Sequence, residues 1–223
     1  MCAKQKIIAP NEHVFIGGKT GSGKTFLAKK YLAGYPNVVA LDTKGTLNWD
    51  EIKKEDLVIV KHLRELSFVT KQKIIYRPVW EEMTPEYYDK FFKWCYKRRN
   101  CIVWVDEAMS VSPNPYRIPE YYKAILTRGR ELNVAVWSLS QRPSGIANVI
   151  MSESTHFFIF DLNMPADRLK LAEITGCREI LDKPSGGKGG MEKFAFWYFN
   201  VEEDRPVKAK LVETGRKGRV ING

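Results

Sequence analysis

Eight consecutive residues, Gly18-Lys19-Thr20-Gly21-Ser22-Gly23-Lys24-Thr25, set out a glycine, four residues, a second glycine, a lysine and a hydroxyl residue. That spacing suits a cradle for phosphate. Gly18, Gly21 and Gly23 let the backbone approach phosphate oxygens closely, while successive N–H groups and a following helix N-terminus supply positive potential. Lys24 can then reach β- and γ-phosphates, and Thr25 can ligate Mg2+. The expected nucleotide-binding segment runs from Gly18 through Lys19, Thr20, Gly21, Ser22, Gly23, Lys24 and Thr25 to Phe26, with ATP and Mg2+ as its ligands.

A second chemical group closes the apolar run Ile102-Val103-Trp104-Val105 with two adjacent acids, Asp106 and Glu107. A buried strand running into paired carboxylates resembles a Walker B motif. Asp106 would complete the Mg2+ shell opposite Thr25, and Glu107 would orient or deprotonate an attacking water. A third group follows Val134-Ala135-Val136-Trp137-Ser138-Leu139-Ser140, another apolar strand, which ends in Gln141. An amide there can sense a γ-phosphate or position water. Upstream, Thr127-Arg128-Gly129-Arg130 lies on a helix whose apolar side carries Tyr121, Tyr122, Ile125, Leu126 and Leu132. On a 100° wheel Arg128 lies beside that stripe and Arg130 projects away from it, so either arginine could reach a neighbouring subunit's nucleotide.

These groups need strands and helices to hold them. His13 to Ile16 is a short apolar strand ahead of the phosphate loop, and Phe26, Leu27, Ala28, Tyr31 and Leu32 recur behind it at helical spacing until Gly34-Tyr35-Pro36. Asn37 to Asp42 reads as a second buried strand, followed by the turn Thr43-Lys44-Gly45. Asp42 therefore falls either near the site, at a strand's carboxyl end, or in a purely turn-forming role. Strands are expected at 57–60 and 73–76, with a short charged helix between them. Thr84-Pro85-Glu86 starts a helix that ends at Lys97-Arg98-Arg99. Residues 110–119, with three prolines, form a loop. Ala147 to Ser152 is a short helix, His156 to Phe160 a further core strand with a structural His156, and 166–175 a helix closed by Gly176. Pro184 to Gly190 reads as a flexible basic loop. Residues 193–200 and 207–212 read as an edge hairpin, and the tail with Arg216, Lys217 and Arg219 as mobile.

The chain has 223 residues, enough for one substantial α/β unit without disulfides or structural metal. The expected core spans about 13–180, with a C-terminal β extension and basic tail over about 181–223. Lys and Arg total 36 against 26 acidic residues, a formal charge of +10, which favours a polyanionic partner. Cys2, Cys95, Cys101 and Cys177 form no CxxC pair and read as reduced thiols of an intracellular protein. No run reaches membrane-spanning length, and residues 1–12 are a polar lead-in with neither a secretion signal nor room for a further domain.

Taken together, the phosphate loop, Asp42-Thr43-Lys44-Gly45, Val105-Asp106-Glu107, the Gly129-Arg130-Glu131-Leu132-Asn133 stretch and Ser140-Gln141-Arg142-Pro143-Ser144 resemble the HerA/FtsK superfamily of DNA-translocating ATPases, over about residues 13–162. The resemblance implies an α/β, RecA-like P-loop fold with a mostly parallel central sheet flanked by helices. It implies that the catalytic glutamate lies on a strand neighbouring the P-loop strand. It also implies a homo-oligomeric ring, a pentamer or hexamer, in which an arginine acts across the interface. Without a membrane segment, N-terminal β-barrel or winged-helix module, the chain is most similar to the compact genome-packaging ATPases of icosahedral viruses with an internal membrane. The implied partners are double-stranded DNA, held by its phosphates, and a capsid vertex or membrane protein. The implied place is the host cytoplasm, at the packaging vertex. Candidate DNA contacts are the loop around Lys188 and Arg98-Arg99.

Two readings from other directions stand beside it. One is a cellular or conjugative DNA pump of the same superfamily. The other is a small-molecule P-loop kinase, which needs neither Glu107 nor Gln141 in these roles, or an ATP-dependent switch, marked by slow hydrolysis indifferent to DNA and to subunit concentration.

Overall fold

In the computed structural model, residues 7–185, 194–212 and 219–222 are described. Their strands are β1 (Val14–Gly17), β2 (Val38–Leu41), β3 (Leu57–Val60), β4 (Lys73–Tyr76), β5 (Cys101–Val105), β6 (Val134–Ser140), β7 (His156–Phe160), β8 (Ala195–Asn200), β9 (Val207–Val212) and β10 (Arg219–Asn222). The helices are α1 (Lys24–Ala33), α2 (Pro85–Arg98), α3 (Ala108–Val111), α4 (Glu120–Arg128), α5 (Asn148–Ser152) and α6 (Pro165–Thr175). One sheet runs in the order β10-β9-β8-β7-β1-β6-β5-β2-β4-β3. The seven strands from β7 to β3 are parallel, and β8, β9 and β10 continue antiparallel beyond β7. The expected α/β architecture, a mostly parallel sheet flanked by helices, is present.

Both faces of the parallel strands are covered, which is why β1, β2, β5, β6 and β7 read as unbroken apolar runs. On one face Phe15, Val103, Val136 and Phe157 meet Phe91, Phe92, Tyr122, Ile125, Ile150 and Leu171 of α2, α4, α5 and α6. On the other, Val14, Ile16, Trp104, Trp137 and Phe158 meet Leu27, Ala28, Tyr31 and Leu32 of α1. Trp49 covers the same face, its ring 5.4 Å from Trp104. Alternate residues along each strand thus serve opposite layers.

Local chemistry sets several boundaries. Thr84 caps α2 by accepting the Tyr87 N–H, and Pro85 opens the first turn. At the other end of the same helix, Arg98 lies 5.0 Å over the Trp94 ring and donates to Lys71 O, so this candidate DNA contact is also a structural strap. Lys73 caps α1 by donating to the carbonyls of Leu32, Ala33 and Tyr35. Burial pulls its ammonium down to about 8.

The structure corrects three expectations. The strand carrying Asp106 and Glu107 does not neighbour the P-loop strand, because β6 lies between β1 and β5. β6 is buried along its whole length, as a strand in mid-sheet must be. The helix before β6 stops at Arg128, so Leu132 sits on a 3-10 turn: a Cβ on Gly129 would lie 2.3 Å from Val134 O, where the chain folds tightly back into the strand. Arg128 and Arg130 are both exposed. The tail at Arg219–Asn222, expected to be mobile, is β10, paired along the otherwise open edge of β9. Arg216, Lys217, Lys188 and the glycine-rich stretch 186–190 lie outside the described residues.

The hairpin is joined to the parallel core through Phe158, whose ring packs within 5.6 Å of Tyr31, Phe196 and Tyr198. Phe158→Ala should destabilise the protein by about 3–5 kcal/mol, read as a lower midpoint in urea unfolding.

Candidate functional site

Parallel strands deliver their carboxyl ends to one edge of the sheet, and the chemical residues of β1, β2, β5, β6 and β7 meet there. The loop after β1 is fastened on both sides. Gly18 N–H donates to Ser140 O at the end of β6 (3.1 Å), and Lys19 N–H to Asp161 O beyond β7 (2.7 Å). At Gly18 a Cβ would lie 2.7 Å from the Phe160 Cβ, so the close approach requires glycine. Gly23 has φ +109°, a conformation that disfavours other residues, and a Cβ there would meet Leu211 at 3.0 Å and Phe194 at 3.2 Å. The C-terminal hairpin therefore packs against the phosphate loop.

Inside the loop, Lys24 folds its ammonium back onto Gly18 O (2.6 Å) and Lys19 O (3.0 Å). Burial lowers it to about 8, with Glu107 and Asp106 opposing the shift and Lys44 adding to it. The Ser22 hydroxyl is buried with no hydrogen-bond partner. Phe26, half-buried in the first turn of α1, lies under Lys30, whose Nζ is 5.3 Å from the ring centroid.

Thr25 Oγ1 donates to Asp106 Oδ1 (3.1 Å), joining α1 to the end of β5. Burial raises the Asp106 carboxyl, Lys44 and the Thr25 hydrogen bond lower it, and Asp42 and Glu107 raise it again. Two hard oxygens beside a phosphate cradle fit a small cation such as Mg2+, which takes few protein ligands and the rest from phosphate and water. Thr25 and Asp106 are the residues that could hold it. Glu107, at the foot of α3, is buried; its Oε2 lies 3.0 Å from Lys44 Nζ, and its Oε1 has no hydrogen-bond partner. Across the loop, Thr20 Oγ1 donates to Gln141 Oε1 at 2.8 Å.

The structure thus brings Lys24, Thr25, Asp106, Glu107, Gln141 and Thr20 to one place. It does not bring Arg128 or Arg130 there. Both precede β6, so they stand at the sheet's amino edge, on the order of 20 Å of strand away. Arg130 instead donates to Thr155 Oγ1 (2.6 Å), just ahead of β7. Asp42 resolves as a turn residue. Its buried carboxylate accepts from Thr46 N–H, Leu47 N–H and Arg77 Nε (2.8 Å). His156 is structural, hydrogen-bonded to Tyr198 and Glu12.

Three residues at this edge have roles that the sequence alone does not reveal. Lys44 stands next to Glu107 because β2 pairs with β5, a neighbour relation that periodicity does not disclose. Asp161 holds the far side of the loop through Lys19 and accepts from Ser185 Oγ (2.6 Å). Arg142 pairs with buried Asp167 of α6 (3.2 Å), which fixes the segment after Gln141.

No protein-family model matches the chain. Among curated proteins, the DNA packaging ATPase P9 of Enterobacteria phage PRD1 is 28% identical over 219 residues, spanning 92% of this chain and 90% of P9. Among solved structures, the genome packaging NTPase B204 from Sulfolobus turreted icosahedral virus 2 superposes with a TM-score of 0.74 in its sulfate complex, at 13% identity over 93% of this chain and 100% of that one. The AMPPCP complex of B204 gives 0.70, at 14% identity over 90% of this chain and 98% of that one. The pCW3 conjugation coupling protein TcpA shares the fold more distantly, with a TM-score of 0.56 and 16% identity over 93% of this chain and 64% of that one. Along most of its length the chain is similar in sequence to a phage DNA packaging ATPase, and in fold to a viral genome packaging NTPase.

Proposed function

We propose that this protein is an ATP-hydrolysing motor that drives double-stranded DNA into a viral capsid. The observation that carries the reading is the meeting, on one sheet edge, of the phosphate loop, the Thr25–Asp106 oxygen pair, Glu107 with one unpartnered oxygen, and Gln141 hydrogen-bonded to the loop. The resemblance to P9, named a DNA packaging ATPase, supports DNA as the cargo.

Each residue has a role in that reading. The backbone N–H groups from Gly18 to Gly23 and the Ser22 hydroxyl receive the phosphate oxygens, and Lys24 leaves its own carbonyls to neutralise them. Thr25 and Asp106 would hold Mg2+, which when bound would neutralise charge developing on the phosphate oxygens. The free Oε1 of Glu107 takes a proton from the attacking water. Gln141 exchanges its hydrogen bond with Thr20 as the γ-phosphate comes and goes, and Arg142 and Ser144 pass that change to Asp167 of α6. Core and C-terminal extension work as one ATPase unit.

The amino-edge position of Arg128 and Arg130 supports a trans role, because neither reaches its own protomer's phosphate loop. In a ring of identical subunits, that edge faces the next protomer's nucleotide and an arginine stabilises the transferring phosphoryl group. The motor acts in the host cytoplasm at the packaging vertex, docked to a capsid or membrane protein. No helix of the described residues is long and apolar enough to cross a membrane. Contacts to DNA are phosphate contacts, so binding falls steeply with salt.

Long double-stranded DNA should stimulate phosphate release from ATP by the intact protein, and Glu107→Gln should keep ATP binding while cutting turnover by about 10²–10⁴-fold. Undiminished hydrolysis in Glu107→Gln, or activity indifferent to DNA, would contradict the motor reading. Mixing Lys24→Ala protein with Arg130→Ala or Arg128→Ala protein should recover part of the wild-type rate; no recovery with either arginine rules out catalysis in trans. Phosphate favours the charged form of Lys24, whose ammonium titrates near 8 in the free protein. The Kd for ATP should therefore stay flat below that pH and weaken above it, by up to about tenfold per pH unit. Lys24→Arg, charged throughout, should abolish the slope in a fluorescent-ATP titration.

A further inference from the structure

The turn after β2 is built to aim one side chain. The Asp42 carboxylate takes the Thr46 and Leu47 N–H groups and the Arg77 guanidinium, while Gly45, at φ +71°, lets the chain reverse. Arg77 also donates to Leu47 O (2.8 Å), so the turn is held from both sides. What it presents is Lys44, whose ammonium crosses the top of β5 to lie 3.0 Å from Glu107 Oε2.

A lysine–glutamate pair on an open surface contributes little. This pair differs, because the Glu107 side chain is only 9% exposed while Lys44 remains 40% exposed. A buried carboxylate beside Asp106 has an electrostatic reason to swing toward water, and the ammonium opposes that swing. The two oxygens of Glu107 are consequently distinct. Oε2 is occupied by Lys44, and Oε1 is buried with no hydrogen-bond partner. The same positive charge is felt at Asp106 and at Lys24.

We propose that Lys44 is a positioning residue for ATP hydrolysis, its ammonium holding one oxygen of Glu107 so that the other faces the attacking water. The inference rests on Glu107 acting as the base. A residue that works only through Glu107 should affect turnover more than ATP affinity, and its loss should have no further effect once Glu107 is gone.

The test uses full-length Lys44→Met, Lys44→Arg, Glu107→Gln and the Lys44→Met/Glu107→Gln double variant. Phosphate release is followed at saturating ATP and DNA, and affinity by titration with fluorescent ATP. Lys44→Met should lower kcat by about 10- to 100-fold, the scale of a misplaced catalytic group. Its ATP Kd should stay within about twofold of wild type. Lys44→Arg, which keeps the charge, should recover most of the rate, and the double variant should turn over no more slowly than Glu107→Gln alone. An inert Glu107→Gln beside a fully active Lys44→Met would overturn this inference alone. ATP affinity falling in step with kcat, together with additive losses in the double variant, would overturn it in favour of direct phosphate contact. A fully active Glu107→Gln would remove the base assignment and this inference with it.

Discussion

Two backbone hydrogen bonds hold the phosphate loop in place, Gly18 N–H to Ser140 O and Lys19 N–H to Asp161 O. Each comes from the carboxyl end of a strand flanking β1, so the loop is suspended between β6 and β7 before any phosphate arrives. The arrangement depends on the parallel sheet, since only parallel neighbours bring their carboxyl ends to the same edge as the loop. The sheet in turn depends on apolar cover on both faces, supplied by α1 on one side and by α2, α4, α5 and α6 on the other. The ionic chemistry is therefore set out by packing that contains no charge.

The site's charges are arranged around buried carboxylates. Asp106 is tied to Thr25 and Glu107 to Lys44, while Asp42 is fully committed to its turn and to Arg77. Lys24 rests on two carbonyls of its own loop. A cation among desolvated dipoles gains when an anion replaces them. In the proposed function, the position of Lys24 and the unpaired Ser22 hydroxyl are where a triphosphate would gain that energy.

Much of this was legible in the chain because the chemistry sits at the ends of unmistakable strands. Ile102 to Val105 and Val134 to Leu139 are apolar runs of strand length, and they place Asp106 and Gln141 at the edge that a parallel sheet shares with the loop. Asn133 and the 3-10 turn before it were less readable, since α4 ends where Gly129 packs against Val134 O, a tertiary contact. Strand order was also hidden. Nothing local in Val134–Ser140 says that it separates the acidic strand from the loop strand, and the Lys44–Glu107 pair follows only once β2 and β5 are known to be neighbours. The amino-edge placement of Arg128 and Arg130 did have a signal, because residues just ahead of a parallel strand must lie at its amino end. Tail residues 219–222 read as unstructured because their strand exists only by pairing with β9.

The packing of Leu211 and Phe194 against Gly23 links the first motif of the chain to a hairpin made far later along it. On a ribosome, the phosphate loop emerges early and its flanking strands follow in turn, but the apolar wall beside Gly23 arrives only with β9. A nascent chain lacking that strand leaves the loop open on one side to solvent. The apolar wall beside Gly23 is in this way complete only once the hairpin has been made.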